Sequence, residues 1–343
     1  MLTQKILGAT ASAKEQFVAV TFSASPYVAA YPWSASGFGV KFANPAIFPT
    51  GSGRSVSFSP SGDAIAVAHS ISPFVTAYPW SASGFGVKFA DPATLPLSTG
   101  NGVAFSPSGN AIAVAHSSPP FVTAYPWSAS GFGTKFANPA ILPPSTGRSV
   151  SFSPSGDAIA VAHSISPFVT AYPWSASGFG VKFADPATLP ISTCNGISFS
   201  PLGDAIAVGH VGSPYVAAYP WSASGFGTKF ANPATLPTGT GYGISFSPSG
   251  DAIAVALSAS PYVTAYPWSA SGFGTKFADP ATLPPTIGNG VAFSPSGNAI
   301  AVAHFGSPYV TAYPWSASGF GTKFANPATL PPSTGYGVTF TEI

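Results

Sequence analysis

The residues best suited to acid–base or metal chemistry recur at intervals of 47 positions or a multiple of 47. Five histidines do so: His69, His116, His163, His210 and His304. Imidazole is a common zinc ligand and titrates near neutral pH. Phe22 and Leu257 occupy the equivalent position in two repeats, and residues one repeat apart lie too far from each other to share one zinc ion at ~2 Å. We therefore expect no metal site, and a packing or partner-binding position for these histidines.

Acidic residues follow the same interval but alternate with asparagine. After each Ser-Pro-Ser-Gly or Ser-Pro-Leu-Gly turn the sequence has Asp63, Asn110, Asp157, Asp204, Asp251 or Asn298. A general acid or a metal ligand loses its function with its charge, whereas a residue that caps a turn does not. These positions therefore predict capping of the backbone.

Lysine also occurs once per repeat, in the segment predicted to form the outermost strand. The seven are Lys41, Lys88, Lys135, Lys182, Lys229, Lys276 and Lys323. A solvated outer rim is the simplest interpretation, and an anion-binding belt is the alternative. No serine-hydrolase elbow, zinc-protease motif, phosphate-binding loop or close carboxylate pair is present. The sequence thus predicts a protein without cofactor or catalytic site, that is, not an enzyme.

A further set of polar residues varies from one repeat to the next. It consists of Arg54, Asn101, Arg148, Asn195, Tyr242, Asn289 and Tyr336. Each opens a predicted inner strand, and the neighbouring loops vary as well. Arg, Tyr and Asn are common in binding surfaces. Together with the five histidines, these seven residues are the candidate contacts for a ligand or partner, although drift of loops after duplication would produce the same variation.

The elements that position these residues follow from the repeat itself. Seven tryptophans lie 47 residues apart, each within the word Tyr-Pro-Trp-Ser-Ala-Ser-Gly-Phe-Gly, at positions 33, 80, 127, 174, 221, 268 and 315. Periods of this length are typical of stacked repeat units. In one repeat, alternation predicts strands at 54–58, 64–69, 73–80 and 85–89, separated by turn residues. Four short antiparallel strands, seven times over, predict a seven-bladed β-propeller.

Both ends of the sequence predict how the ring closes. Residues 16–20 align with the second strand of a repeat, so the opening unit lacks its first strand. Residues 336–343 match that missing first strand. We therefore expect the C-terminal strand to complete the first blade and to remove two open sheet edges.

The word Phe58-Ser59-Pro60-Ser61-Gly62, repeated five more times with Leu202 in one copy, is similar to a signature of WD-repeat propellers. The usual Trp-Asp dipeptide is replaced by Tyr-Pro-Trp-Ser, so the structural Asp and His of that family have no counterparts here. The phrases PYVTAYPW and FADPATLP resemble highly repetitive propellers of bacterial and bacteriophage genomes. The resemblance covers residues 16–343 and implies a propeller fold, but says little about function.

Composition restricts the partners. Only 6% of the residues are charged and the net charge is +2, which offers no electrostatic basis for binding nucleic acid. No apolar run is long enough to insert into a membrane. Cys194 is the only cysteine and replaces a glycine of the other repeats, which we interpret as drift. Residues 1–13 contain an apolar core too short for a signal peptide and are predicted to form an N-terminal arm outside the propeller of residues 14–343.

These observations lead to one functional hypothesis and one alternative. The hypothesis is a non-enzymatic phage virion or surface protein that contacts a partner protein or glycan through the variable face, within a larger assembly. It places the protein on a virion or at an extracellular surface. The alternative is an intracellular bacterial scaffold that uses the same face for protein interactions.

Overall fold

The computed structural model describes residues 14–343, and the predicted N-terminal arm of residues 1–13 lies outside this part of the chain. Residues 14–343 form seven antiparallel sheets of four strands each, arranged in a ring, and contain no helix. This architecture confirms the predicted seven-bladed β-propeller.

Each blade runs from an inner strand beside the central channel to an outer strand at the rim. The inner strands are β4 (Gly53–Phe58), β8 (Gly100–Phe105), β12 (Gly147–Phe152), β16 (Cys194–Phe199), β20 (Gly241–Phe246), β24 (Gly288–Phe293) and β28 (Gly335–Glu342). The second strands are β1 (Gln16–Phe22), β5 (Ala64–His69), β9 (Ala111–His116), β13 (Ala158–His163), β17 (Ala205–His210), β21 (Ala252–Leu257) and β25 (Ala299–His304).

The two outward strands of each blade follow in the same order. The third strands are β2 (Val28–Ser34), β6 (Val75–Ser81), β10 (Val122–Ser128), β14 (Val169–Ser175), β18 (Val216–Ser222), β22 (Val263–Ser269) and β26 (Val310–Ser316). The outer strands are β3 (Gly37–Phe38), β7 (Gly84–Phe85), β11 (Gly131–Phe132), β15 (Gly178–Phe179), β19 (Gly225–Phe226), β23 (Gly272–Phe273) and β27 (Gly319–Phe320).

The hairpin between the inner and second strands uses the Ser-Pro-Ser-Gly word. In β4–β5, Gly62 adopts a φ of 71° and its N–H donates to the Ser59 carbonyl at 2.9 Å. The hydroxyls of Ser59 and Ser61 both donate to Oδ1 of Asp63 at 2.7 Å. An amide oxygen accepts the equivalent bonds in the blades that carry Asn, such as that of Asn110. The turn therefore needs an acceptor oxygen and not a charge, which explains the alternation of Asp and Asn.

The outer and third strands are shorter than the sequence predicted. In blade two the outer strand comprises Gly84–Phe85 in place of residues 85–89. Pro79 in β6 accepts a bond from Gly86 at 2.8 Å but has no N–H to return one, so the ladder cannot continue. The third strand begins at Val75 rather than at residue 73, because Phe74 has a φ of 69°, outside the β region.

The core lies between the blades. One face of each sheet presents small side chains, such as Ala66 and Ala68 of β5, to the larger Ile112 and Val114 of the next blade. The second strands are consequently buried along their whole length. Each Trp packs at the outer end of the interface between two blades. Trp127, for example, makes edge-to-face contacts with three phenylalanines. The sheets are thus stabilised by stacking on their neighbours around the ring.

The ring closes as predicted, within the first blade. Strand β28 pairs antiparallel with β1, with Gln16 opposite Glu342 and Val20 opposite Val338. Beyond the strands, Glu15 and Ile343 exchange two backbone hydrogen bonds, at 3.1 and 3.0 Å. Val338 and Phe340 join the core cluster between the last and first blades. The two ends of the propeller are therefore held in one sheet.

This closure makes stability depend on the last strand. Deleting residues 335–343 removes the two buried apolar side chains of Val338 and Phe340, each contributing about 1.5–3 kcal/mol, and exposes the edge of β1. We expect a melting temperature at least ~10 °C lower, or aggregation. Calorimetry and light scattering measure both effects.

A circular permutant supplies the control for this deletion. Joining residue 343 to residue 14 by a short linker, and opening the chain between Ser155 and Gly156, keeps every strand and moves only the break. Its melting temperature should stay close to that of the parent. An unchanged melting temperature after the deletion would contradict the role assigned to β28.

Candidate functional site

Seven side chains surround one mouth of the central channel, and we call this set the channel mouth. Each is the second residue of an inner strand: Arg54, Asn101, Arg148, Asn195, Tyr242, Asn289 and Tyr336. They line a cavity of about 230 Å³. The structure thus brings together, in a single site, the seven polar residues that the sequence had singled out. Their role in binding stays a prediction.

Backbone geometry places these residues at the channel. The pairing of inner and second strands shifts register around most of them, for example between Gly53 and Ser55 on either side of Arg54. A β-bulge of this kind leaves one residue unpaired and redirects its side chain. The preceding glycine is required by close packing, because a Cβ on Gly100 would lie 2.3 Å from the carbonyl oxygen of Phe74.

Cys194 is the exception at this glycine position. Its side chain is fully buried in a core cluster, and desolvation raises the pKa of the thiol far above its usual range. A protonated, buried thiol is a poor nucleophile. Cys194 therefore contributes packing and no chemistry to the channel mouth.

The three asparagines of the channel mouth connect neighbouring blades. The side-chain NH₂ of Asn101 donates to the carbonyl of Gly147 at 2.8 Å. Asn195 and Asn289 make the same bond to Gly241 and Gly335, at 3.1 and 2.7 Å. These amides hold the inner strands in position, and so keep the other four side chains at the mouth.

Two arginines supply the charge of the site. The guanidinium of Arg54 lies over the ring of Tyr336, 4.9 Å from its centroid, and Nε of Arg148 donates to Ser164 Oγ at 3.0 Å. No carboxylate and no imidazole from residues 14–343 lines the cavity. The channel mouth therefore has a formal charge of +2 and is rich in hydrogen-bond donors, which suits an anion or a developing negative charge.

The inner strands continue the channel below the mouth. Glycine occupies the next position in five of the seven inner strands. A Cβ on Gly196 would lie 2.3 Å from the carbonyl of Tyr242, and one on Gly243 would lie 2.8 Å from the Cα of Gly290. Neighbouring inner strands thus lie backbone to backbone, and a further cavity of about 190 Å³ extends from the mouth between them.

The five histidines lie inside the blades and away from the channel mouth. All are fully buried, and burial lowers the pKa of each to about 4. Nε2 of His69 lies 2.8 Å from Thr76 Oγ1, and His116 and His163 make the same contact with the threonine of their own third strand. The structure therefore separates these histidines from the other seven candidate residues.

Two histidines lack this contact. Both ring nitrogens of His210 and of His304 are buried without a hydrogen-bond partner; blade five has Ala217 at the threonine position, whereas Thr311 is present beside His304. An unsatisfied buried polar group costs ~1–3 kcal/mol. His210 is therefore a local weakness of the fold.

The lysines of the outer rim pair within their own blades. Lys88 Nζ lies 2.5 Å from Asp91 Oδ1, while Lys41 and Lys135 contact the amide oxygens of Asn44 and Asn138. Across residues 14–343, no group of three or more His, Cys, Asp or Glu side chains is arranged to hold a metal ion. Nor does this part of the chain contain a helix long and apolar enough to cross a bilayer.

Solved structures with the same architecture come from several bacteria. A periplasmic gluconolactonase of Pseudomonas aeruginosa superposes with a TM-score of 0.75 at 16% identity, covering 95% of this chain and 99% of its own. Putative 6-phosphogluconolactonases of Bacteroides fragilis and Bacteroides uniformis give TM-scores of 0.74 and 0.71 at 13% and 15% identity. Each comparison covers at least 95% of this chain and 99% of the other. At these identities the likeness establishes the fold.

Neither a protein-family model nor a curated protein sequence matches the chain. The resemblance to WD-repeat and phage-encoded propellers therefore stays a prediction beyond the propeller itself. The expectation of a non-enzymatic phage virion or surface protein is wrong, because the structural neighbours named above are described as lactonases and none as a phage protein. The same neighbours contradict the expectation that the protein is not an enzyme.

The unpartnered His210 leads to a test of the His–Thr contacts. We expect Ala217→Thr to give His210 a partner and to stabilise the protein by about 1 kcal/mol in chemical unfolding. Ala29→Thr is the matched control, because blade one has the same Val-Ala-Ala sequence but Phe22 in place of the histidine. That control should be neutral or destabilising. Equal effects of the two substitutions would refute the assignment.

The buried histidines also predict a pH dependence of stability. Each has a pKa of about 4 when folded, below the ~6.5 of an exposed histidine. The unfolded chain then binds more protons between these values, so stability is complete above pH ~6.5 and falls as the pH drops towards 4. Urea unfolding at pH 7 and pH 4.5 measures this loss. His116→Leu, which copies Leu257 of blade six, should reduce the loss, and an equally steep pH dependence in that variant would contradict the prediction.

Proposed function

We propose that the channel mouth binds a sugar lactone and opens its ring by hydrolysis. The observation that carries this proposal is the convergence of two guanidinium groups, three amides and two phenols on one small cavity. Donors of this kind suit a hydroxyl-rich ligand with a carbonyl or carboxylate group. The names of the structural neighbours, gluconolactonase and putative 6-phosphogluconolactonase, support the same substrate class.

The dimensions of the site favour a small substrate. Its volume of about 230 Å³ lies below the ~300–1,000 Å³ of pockets for drug-sized ligands. A single sugar ring suits a site of this size. The phenols of Tyr242 and Tyr336 and the amides can bond its hydroxyls, while the arginines face its most polar group.

The chemistry expected of the arginines is stabilisation of an oxyanion. Hydroxide from solvent adds to the lactone carbonyl carbon, and negative charge develops on the carbonyl oxygen. A guanidinium N–H directed at that oxygen stabilises the addition step. The ring C–O bond then breaks, the released alkoxide takes a proton from water, and the product is a hydroxy acid. Its carboxylate can pair with Arg54 or Arg148.

The attacking water has no general base at the channel mouth among the described residues. The buried histidines cannot serve, because they lie inside the blades. We therefore assign the nucleophile to hydroxide from solvent, attracted by the positive mouth. The rate should accordingly rise with hydroxide concentration and show no titration of a histidine or carboxylate.

The test is lactone hydrolysis measured by acid release, with the spontaneous rate subtracted. We expect the purified protein to accelerate opening of glucono-δ-lactone or its 6-phosphate, and kcat/KM to rise steadily from pH 6 to pH 9. Arg148→Met and Arg54→Met should each lower kcat/KM at least tenfold, in line with the loss of one oxyanion donor.

Lys135→Met is the matched control, since it removes one positive charge at the rim of the same blade as Arg148. It should leave kcat/KM unchanged. The proposal fails if neither lactone is hydrolysed faster than in buffer, or if the arginine variants retain full activity.

A protein-interaction scaffold is the second candidate function. Five large apolar side chains project from loops on the face of the channel mouth, and each is more than half exposed: Ile71, Leu97, Ile165, Ile191 and Phe305. Apolar side chains exposed together on one face often mark a protein contact. The combined variant Ile71→Ser, Ile165→Ser separates the two functions, because it should weaken partner binding and leave lactone hydrolysis intact.

A further inference from the structure

A second cavity lies away from the channel mouth, at the closure of the ring. It has a volume of about 520 Å³ and opens on the opposite face, beside the paired ends of β1 and β28. We call it the seam cavity. Its walls include Phe17, Trp33 and Phe42, and its polar residues include Lys14, Glu15 and Asn298. This volume falls within the range of sites for small organic ligands.

The seam cavity exists because blade one lacks a turn that six blades possess. In the other blades the Ser-Pro-Ser-Gly hairpin joins the inner and second strands and covers the base of the neighbouring Trp. The equivalent cavity beside Trp127 is lined by Ser61, Asp63 and Gly109 of two such turns and measures about 240 Å³. At the seam, two chain ends replace the turn, and the space more than doubles.

The residues at the seam also depart from the repeat. Phe17 stands where the other six second strands have alanine. Its ring lies 5.8 Å from that of Phe42 and 5.6 Å from that of Trp80, an aromatic group that no other interface contains. The indole N–H of Trp80 is buried there without a partner. Phe17 itself is almost fully buried, and it gives the seam cavity an aromatic wall where the other second strands have alanine.

The charges at the seam favour a cation. Lys14 pairs with Glu342 at 2.9 Å, which neutralises both. Glu15 has no ion-pair partner among residues 14–343, and its side chain lines the cavity. Aromatic walls attract cations through the negative faces of their rings. One uncompensated carboxylate beside three aromatic rings is thus complementary to a flat molecule with a single positive charge.

We propose that the seam cavity is a second ligand site, selective for small planar aromatic cations. Stacking against the aromatic walls buries the ring of the ligand, and Glu15 balances its charge. The site lies on the face opposite to the channel mouth and uses none of its residues. It is therefore independent of the lactone hydrolysis proposed above.

Berberine, a planar aromatic cation whose fluorescence increases in apolar surroundings, is the probe for this site. We expect saturable binding of one berberine per chain. Ala82→Phe, which extends a ring into the seam cavity, should weaken binding about tenfold. Ala129→Phe places the same ring in the smaller cavity of blade three and should have no effect.

Charge selectivity and independence complete the test. Glu15→Gln should weaken berberine binding several-fold, and the anionic dye 8-anilinonaphthalene-1-sulfonate should bind more weakly than berberine. Arg148→Met should leave berberine binding unchanged. The proposal is overturned if berberine does not saturate, if both phenylalanine variants reduce binding equally, or if binding appears only after deletion of residues 1–13, which would mean that the chain itself fills the cavity.

Discussion

Contact between the small face of one sheet and the large face of the next is the interaction on which this structure depends. Alanines such as Ala66 lie flat against Ile112 and Val114 of the following blade, and the same fit recurs around the ring. One blade of a repeat protein cannot bury its apolar faces by itself. Stacking buries the apolar faces of the sheets, and in a closed ring of seven blades each sheet is covered by a neighbour on both sides. The channel mouth lies where the inner strands of the stacked blades begin, and the seam cavity lies where the first and last strands of the ring meet.

The two candidate sites arise from opposite departures from the repeat. At the channel mouth the inner strands recur in every blade and the largest differences are in the side chain at their second position, so the chemistry varies on a similar backbone. At the seam the backbone itself differs, because chain ends replace a hairpin and Phe17 replaces alanine. The packing shared by all repeats thus stabilises both places, and the residues that depart from the repeat form the two candidate sites.

The sequence predicted the fold in detail because the repeat encodes the same local choices seven times. Strand order, the closure by β28 and the seven residues of the channel mouth all followed from aligning the copies. The length of the outer strand was overestimated, because the alternation of apolar and polar residues does not reveal that Pro79 interrupts the hydrogen-bond ladder. The burial of His69 results from packing of its whole strand between neighbouring sheets, which the spacing of the histidines alone does not disclose. The seam cavity could not be read from the sequence, since it results from a missing turn.

The unequal side chains around the channel mouth have one more consequence. A ring with seven identical residues would offer a bound molecule seven indistinguishable poses. Here the two arginines lie in blades two and four, Tyr336 stacks beside Arg54, and Tyr242 stands apart from both. The rotational degeneracy of the backbone is thereby broken. A ligand that binds in one pose rather than in seven equivalent poses loses about RT ln 7, roughly 1 kcal/mol, of binding free energy. In that single pose the same bond of the ligand would always face the same guanidinium.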